Sequence, residues 1–557
     1  MSYRAPVKDT LFLLRHVADY GAVAATGRFA AADLGMVEAA LAEAGRLSED
    51  ILAPLQTIGD RTPPRLDEAG VVMPPGYAEA WTRVAGGGWI GLAADPAHGG
   101  QGLPGTLAAA ITEMISGACL SFAIAPLMSQ SQIEALETHA DDALKAQVLP
   151  RLISGDWAAT MNLTEPQAGS DVGAVRTRAE PLGDGLYAVT GQKQWISYGD
   201  HDMTANICHL VLARLPDAPA GTRGLSLFLV LKILPDGSRN AVAATSLEHK
   251  MGQHGAPTCV MSFEGAKGWL VGAPHGGMAA MFTMMNNARL GVAMQGVGVA
   301  SAALDRARAF AGERVQGGAP IEAHPDVRRM LAEMEADVLA ARAIGLMCAV
   351  SADMALATGE AAHAARAGVL TPLAKIFGTE TGSRVADLGI QVHGGAGYVS
   401  DTGAEQYLRD IRVTEIYEGT TGIQALDLVG RKMQDGGAAV LALIEEICDG
   451  AEAARASLPD LADPVYEAAE NLRDATDRLL EAPAEYRRAA AVPFARGFAR
   501  VLGAHAHLAA ARAGDADRRA LAEAYVGLLL PEHAAQLAAA SAAGHLLITS
   551  PGKDAAA

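Results

Sequence analysis

The sequence predicts a mainly α protein with a β-domain inserted in its middle, an α+β chain. Three observations predict it. Alanine-rich stretches with apolar residues at helical spacing fill the first part of the chain and return after Gly276. Between Trp157 and about residue 270, short apolar or alternating runs are bounded by Gly, Pro and Asp. A third helical stretch, very rich in alanine, follows the linker Gln434-Asp435-Gly436-Gly437.

The elements follow in order. Residues 1–60 read as short amphipathic helices broken by Gly and Pro, with Ala30–Leu52 at helical spacing. Helices are expected at Tyr77–Val84, Gly105–Met128 and Gln130–Thr138, and a loop at Asp95–Gly105. Strands are expected at Leu186–Thr190 after a Gly183-Asp184-Gly185 turn, then at Cys208–Leu212, Leu225–Leu231 and Cys259–Phe263. After Pro325, Met330, Met334, Val338 and Ala341 mark one stripe of a long helix, which Leu331 and Leu339 broaden. An apolar helix follows Glu418. Residues 438–545 read as helices interrupted at Pro459, Pro464, Pro483 and Pro493, with a disordered tail from Ser550. The expected division is 1–40, 41–158, 159–272, 273–434 and 438–550.

Composition narrows the function classes. With 557 residues, of which 50% are hydrophobic, the chain can bury several cores. Its formal charge of −19 argues against a nucleic-acid or anionic-membrane surface. The five cysteines form no CxxC pair, so buried reduced thiols are expected rather than disulfides or a metal site. The first residues lack a basic-then-apolar signal pattern, and no uninterrupted apolar run approaches about 20 residues. A cytoplasmic protein is expected.

Several segments carry chemistry. In Ile416-Tyr417-Glu418-Gly419-Thr420-Thr421-Gly422-Ile423-Gln424, one carboxylate stands at the mouth of an apolar helix, placed to act as a general base. Read alone, it is a surface acid favoured by the helix dipole. In Thr164-Glu165-Pro166-Gln167-Ala168-Gly169-Ser170-Asp171, Gly169 permits close approach to the main chain, and Thr164 and Ser170 offer hydroxyls. An ordinary turn between helix and strand reads equally well. Trp195 in Gln194-Trp195-Ile196-Ser197 is either a core residue or a flat platform. Gln391-Val392-His393-Gly394-Gly395-Ala396-Gly397-Tyr398 can present N–H groups to a phosphate or ribose. His393 there reads as a packing residue more readily than as an acid/base. Arg314, before the Gly317-Gly318 turn, suits phosphate recognition or a solvated helix end. Arg289, inside an apolar helix, needs a partner or a ligand phosphate.

Taken together, the segments LTEPQAGSD (163–171), QWIS (194–197), NARLG (287–291), RVQGG (314–318), QVHGGAGY (391–398), YLRDIR (407–412) and IYEGTTGIQ (416–424) resemble the flavin-dependent acyl-CoA dehydrogenases over roughly residues 40–435. The start, the segment 248–259, the segment 281–298 and the helical extension resemble a long-form bacterial subgroup that includes 3-methylmercaptopropionyl-CoA dehydrogenases. The resemblance implies a helical domain, a β-barrel-like domain and a four-helix domain, with FAD and an acyl-CoA between them and electrons passed to an electron-transfer flavoprotein. It implies Glu418 as the base and, through the subgroup, links Arg431 to activity. It assigns Met161, Leu163, Thr164, Gly169, Ser170, Trp195 and Ser197 to the flavin, and Thr420 and Gly422 to the turn over it. Gln391, Gly394 and Gly395 go to the adenosine–pyrophosphate side, and Arg314 and Gln316 to an arm reaching a neighbouring subunit's FAD. Ser170, Asn286 and Arg289 fall near CoA, although Asn286 stands where the family often has Asp. A homodimer is expected, because the extension would cover the face that shorter members use to form tetramers. An acyl-CoA oxidase and a DNA-binding relative of alkylation responses are the alternatives within the same fold.

Overall fold

The computed structural model describes residues 3–549, with side chains to residue 545. Helices dominate, and one β-domain interrupts them, so the fold is α+β.

The first part is helical apart from a small hairpin of β1 (Arg65–Asp67) and β2 (Gly70–Val72). Two helices, Gly105–Ala118 and Leu120–His139, form its buried centre. The break between them falls at Cys119 and not, as the spacing suggests, near Ser129. Pro126 lies within the second helix, whose interior side chains are buried almost without interruption. Packing on every side, rather than local breakers, sets where that helix begins.

Seven strands make the middle domain: β3 (Trp157–Asn162), β4 (Arg178–Gly183), β5 (Leu186–Ser197), β6 (Asn206–Arg214), β7 (Leu225–Leu231), β8 (Val242–Leu247) and β9 (Thr258–Val271). β6 pairs antiparallel with β7, β7 with β9, β9 with β5, and β5 with β4. A final pairing of Arg178 with Arg214 brings β4 back to β6, so the ladder closes on itself. The β4–β5 turn is the expected one: Gly183, Asp184 and Gly185 all have positive φ (93°, 51° and 76°). β5 and β9 run longer than their apolar segments suggest.

Beyond residue 276 three long helices, Gly277–Glu313, Pro325–Thr358 and Ala361–His393, pack along one another. Small residues let the first and third touch backbone to backbone. A Cβ on Gly296 would lie 2.1 Å from the Gly378 carbonyl oxygen, and one on Gly378 would lie 2.6 Å from that of Ala293. Helix Pro325–Thr358 buries Met330, Met334, Val338 and Ala341 as the stripe requires. By length and composition it could cross a bilayer, but 83% of its most apolar window is buried inside the fold. Short helices Ala404–Ile411 and Thr421–Val429 close over the third long helix.

The linker at 434–437 leads into helices Ala438–Arg455, Pro459–Glu481, Ala484–Ala513, Ala516–Ala524 and Glu532–Thr549. Pro459 opens a helix and Pro483 precedes one, as expected. Pro464 and Pro493 do not interrupt: each lies inside a continuous helix. The buried faces around them, with Leu461, Val465 and Ala468 on one and Ala490, Phe494 and Ala495 on the other, outweigh the one backbone bond each proline removes. This extension docks on the long helices through ion pairs such as Arg496–Glu380 at 2.9 Å and Arg384–Glu532 at 2.9 Å. All five cysteines are buried and free. The expected tail at 550–557 lies outside the described residues.

Candidate active site

Glu418 sits in the turn between Arg412–Glu415 and helix Thr421–Val429. Its φ is 56°, a left-handed conformation that glutamate rarely adopts. Gly419 follows at φ 94°, and a Cβ there would meet the Gln424 amide nitrogen at 2.6 Å. The turn is held from three helices. Arg289 Nε and Gln424 Nε2 donate to the Glu418 carbonyl oxygen at 3.3 and 3.0 Å. Lys375 Nζ donates to the carbonyl oxygens of Thr414 (2.7 Å) and Gly419 (2.9 Å). Thr420 caps the following helix, its hydroxyl oxygen accepting from the Ile423 N–H at 3.2 Å. Next to Glu418, the Tyr417 hydroxyl donates to Gln295 Oε1.

Burial pushes the Glu418 carboxyl up to about 7, against the opposing pull of the Arg289 and Lys375 charges. Its Oε2 is buried and has no hydrogen-bond partner. The Thr421 hydroxyl, Gln424 Oε1 and Gln295 Nε2 are buried without hydrogen-bond partners as well. Such a set of orphaned polar atoms around one carboxylate is what a ligand-binding wall leaves on the protein side.

Arg289 is buried and sits 3.6 Å from the Asp427 carboxylate, and it donates to Asn286 Oδ1 at 3.2 Å. Asn286 itself is exposed. Arg431 binds Asp427 at 2.6 Å and lies over the Phe282 ring. Its partner Asp427 in turn faces Arg289.

The middle domain carries a second group of expected residues. Met161 is the penultimate residue of β3, and the loop Leu163–Asp171 follows the strand. Glu165 anchors that loop from inside: it accepts from Lys193 Nζ (2.8 Å) and from the Arg176 and Thr177 N–H groups (2.7 and 3.0 Å). Burial alone would raise the Glu165 carboxyl; Lys193, the Thr177 hydroxyl and the Arg176 N–H outweigh it and hold it at about 2. Lys193 also donates to the Leu163 carbonyl, and the Gln194 N–H donates to that of Thr164. The loop and the Trp195 segment are thus tied together, leaving Gly169 and Ser170 exposed and Ser197 half-buried. The β5–β9 register skips between Lys193 and Ile196, and Trp195, with φ 59°, is turned out of the sheet. Its side chain is 59% exposed. The core reading of Trp195 does not hold.

A third group lies elsewhere. Arg314 and Gln316 are exposed on a hairpin of β10 (Val315–Gln316) and β11 (Ala319–Pro320). The Phe310 ring at its base stacks on His393 at 4.4 Å, so the hairpin and the Gly394–Tyr398 loop share one end of the molecule. His393 is a packing residue, with Nδ1 on the Gly389 carbonyl oxygen at 2.7 Å. A Cβ on Gly394 or Gly395 would meet nothing within 4 Å, so the backbone there is open to a ligand, and Gln391 is exposed beside it. This end is roughly 28 Å from Lys375 along the same helix, at about 1.5 Å per residue. The expected residues therefore fall into three groups: around the Glu418 turn, along the Leu163–Asp171 loop and the Trp195 segment, and around Arg314 and Gly394.

Sequence reasoning missed Lys375, Gln295, Gln424, Asp427, Glu165 and Lys193 as site residues. The signal for Lys375 was available: it is the one cation in the apolar run Val369–Phe377. The residues fit FAD, with an exposed indole, an open glycine cradle and orphaned polar atoms beside a carboxylate.

Comparison with known proteins agrees with this geometry. The chain matches the acyl-CoA dehydrogenase N-terminal domain over residues 60–156, the middle domain over 160–266 and the C-terminal domain over 275–433. It is 44% identical to a 3-methylmercaptopropionyl-CoA dehydrogenase of Ruegeria pomeroyi, over 80% of this chain and 79% of that one. Among solved structures it is similar to Caenorhabditis elegans ACDH-11 in complex with C11-CoA (TM-score 0.82, 22% identity, 94% and 91% of the two chains). It is also similar to an acyl-CoA dehydrogenase complexed with FAD from Bacillus anthracis (TM-score 0.69, 23% identity, 86% and 83% of the two chains). The chain belongs to the acyl-CoA dehydrogenase family of FAD-dependent oxidoreductases.

Proposed function

We propose that this acyl-CoA dehydrogenase oxidises a short acyl-CoA of the 3-methylmercaptopropionyl type to its 2-enoyl thioester, with Glu418 as the base. The observation that carries the reading is the Glu418 carboxyl: raised to about 7 by burial, with an unpartnered Oε2, on a turn braced from three helices. A base that titrates near neutrality is half ionised there and strong enough to share a proton with an activated carbon acid. The substrate class rests on the relative's name, the extent of the match and the sequence likeness of the extension.

The proton leaves the α-carbon for Glu418 Oε2. The negative charge that develops on the thioester oxygen needs fixed donors. Among the described residues, the Glu418 N–H has no backbone acceptor, which leaves it free for that oxygen. Bound FAD would supply the acceptor for the hydride that leaves the β-carbon. Trp195 presents its exposed face to the ring system, and the Leu163–Asp171 loop, anchored by Glu165 and Lys193, presents Thr164 and Ser170. Thr420 and Gly422 turn the chain over the same wall. Arg289, buried against Asp427 and the Glu418 carbonyl, braces the base, and the exposed Ser170 is the residue left open to CoA. Electrons then pass to an electron-transfer flavoprotein.

The third group of residues serves a neighbouring subunit in a homodimer. Arg314 and Gln316 stand on an exposed hairpin beside Gly394 and Gly395, far from Glu418 of their own chain. Tyr398, 86% exposed, and the exposed Val315 and Val399 give that end the apolar surface a subunit contact buries.

Anaerobic titration with a panel of acyl-CoAs, including 3-methylmercaptopropionyl-CoA, tests the reading. The flavin absorbance should bleach most completely with the short thioether substrate. If none of the panel bleaches it, the reading is wrong; if only long linear chains do, the substrate class is wrong.

A further inference from the structure

The Glu418 turn raises a question of support. Two successive residues in left-handed geometry, one of them a glutamate, are disfavoured and persist only where the surroundings impose them. The carbonyls on either side of the Glu415–Glu418 segment, those of Thr414 and Gly419, both accept from a single ammonium, Lys375 Nζ. Lys375 is fully buried on helix Ala361–His393, one turn before the close contact at Gly378. Because helices Gly277–Glu313 and Ala361–His393 meet backbone to backbone there, the ammonium is carried inward to the turn rather than to solvent.

Arg289, the other cation near the base, shares its charge with Asp427, which in turn holds Arg431. Among the described residues Lys375 makes no salt bridge, and its hydrogen bonds go to neutral carbonyls. The charged groups facing the base are Arg289 from the first long helix and Lys375 from the third. Those facing Lys375 are Glu418, Glu415, Arg289 and Glu380.

We propose that Lys375 is the positioning residue of the catalytic base: it fixes the Glu418 turn through the two carbonyls and supplies a positive charge toward the carboxylate. This rests on Glu418 being the base. Without the charge, burial acts on Glu418 with only Arg289 in opposition, so the carboxyl titrates higher and is less ionised at neutral pH. Without the two hydrogen bonds, the turn is free to relax toward right-handed geometry and carry the carboxyl away from its place.

The test uses the full-length, FAD-loaded enzyme and the variants Lys375→Met and Lys375→Gln. Bleaching of the flavin by acyl-CoA is followed in single turnover as a function of pH. For Lys375→Met the acid limb should move up by about one pH unit, and the rate at pH 7 should fall at least about fivefold. Lys375→Gln keeps a donor without the charge. It should recover thermal stability while its acid limb stays shifted, and it serves as the reading if the methionine variant folds poorly. A readout independent of turnover is the pH dependence of water-soluble carbodiimide labelling at Glu418 in cofactor-free protein, which should shift in the same direction. An acid limb within about 0.2 pH units of wild type in either folded variant overturns the proposal, even where the rate drops, because loosened packing alone lowers a rate. Failure of wild-type enzyme to bleach with any acyl-CoA overturns the dehydrogenase reading instead, and the labelling comparison still decides the role of Lys375.

Discussion

Replacing Glu418 by Gln should stabilise the protein at alkaline pH while abolishing its chemistry. The unfolded carboxyl titrates at about 4.5 and the folded one at about 7. The folded chain therefore holds a proton that the unfolded chain releases between those values. Stability contributed by the neutral, buried carboxyl is complete below about 4.5 and is lost as pH rises through 7. At about 1.4 kcal/mol per pH unit, the full loss is about 3 kcal/mol above neutrality. Glutamine is the neutral isostere and carries no such penalty.

The gap between Glu418→Gln and wild type should therefore be about 2.5 kcal/mol larger at pH 8 than at pH 5. If the chain unfolds as one unit, with about 2.1 cal/mol/K per residue, that is about 2 °C in Tm. Thermal melts of FAD-loaded protein at both pH values measure it, with the flavin spectrum confirming equal loading. The variant should keep its yellow colour and fail to bleach with substrate. An equal Tm difference at pH 5 and pH 8, or a variant less stable at pH 8, would refute the claim that an ionised, desolvated carboxylate is what the fold tolerates here.

Lys193→Met strands a buried carboxylate and should cost about 3–5 kcal/mol, read as a lower denaturation midpoint with loss of FAD. Because Glu165 sits at about 2, below its unfolded value of 4.5, the stability it contributes is present above about 4.5 and fades as pH falls toward 2. Acid melts of wild type should steepen in that window, and those of the Lys193→Met, Glu165→Gln double variant should not. Trp195→Ala should weaken FAD binding about three- to tenfold by fluorescence titration while leaving the Tm of cofactor-free protein within about 1 °C, since its ring is largely outside the core. Arg314→Ala should lower FAD retention without moving the flavin-bleaching rate of the FAD that remains. A proportional loss of both would place Arg314 in the chemistry of its own subunit.

Much of the fold was legible because the signals were local. The three-residue turn at Gly183–Gly185 announces itself through residues that tolerate positive φ, and the stripe after Pro325 through its period. β4 and β8 were not legible. Their residues are mostly exposed and carry no alternation, so they are strands only because β5 and β9 offer them an edge. Pro464 and Pro493 misled for the converse reason: a local breaker was overruled by buried faces on a long helix. At the site, Glu418 and Arg289 were legible from motifs. Gln295 was not, because a glutamine in a buried helix gives no sign that its partner is the tyrosine beside the base.

That difference follows from how the proposed base, Glu418, is made. The IYEGTTGIQ segment supplies the carboxylate and the capping threonine, yet its own conformational preference opposes the turn it must adopt at Glu418. The forces that impose the turn come from residues 289, 375 and 424, on three different helices. The same helices exclude water and drive the carboxyl upward, and two of them return cations that limit the rise. A base near neutrality is the balance of these two effects. Removing the helices would leave an ordinary acid at about 4.5, and removing the cations would leave a carboxyl too often protonated to accept a proton. The strength of the base is therefore a property of how three helices pack, and a variant far from Glu418 in sequence, such as Gly378→Ala at the helix contact, should change it by moving Lys375 outward.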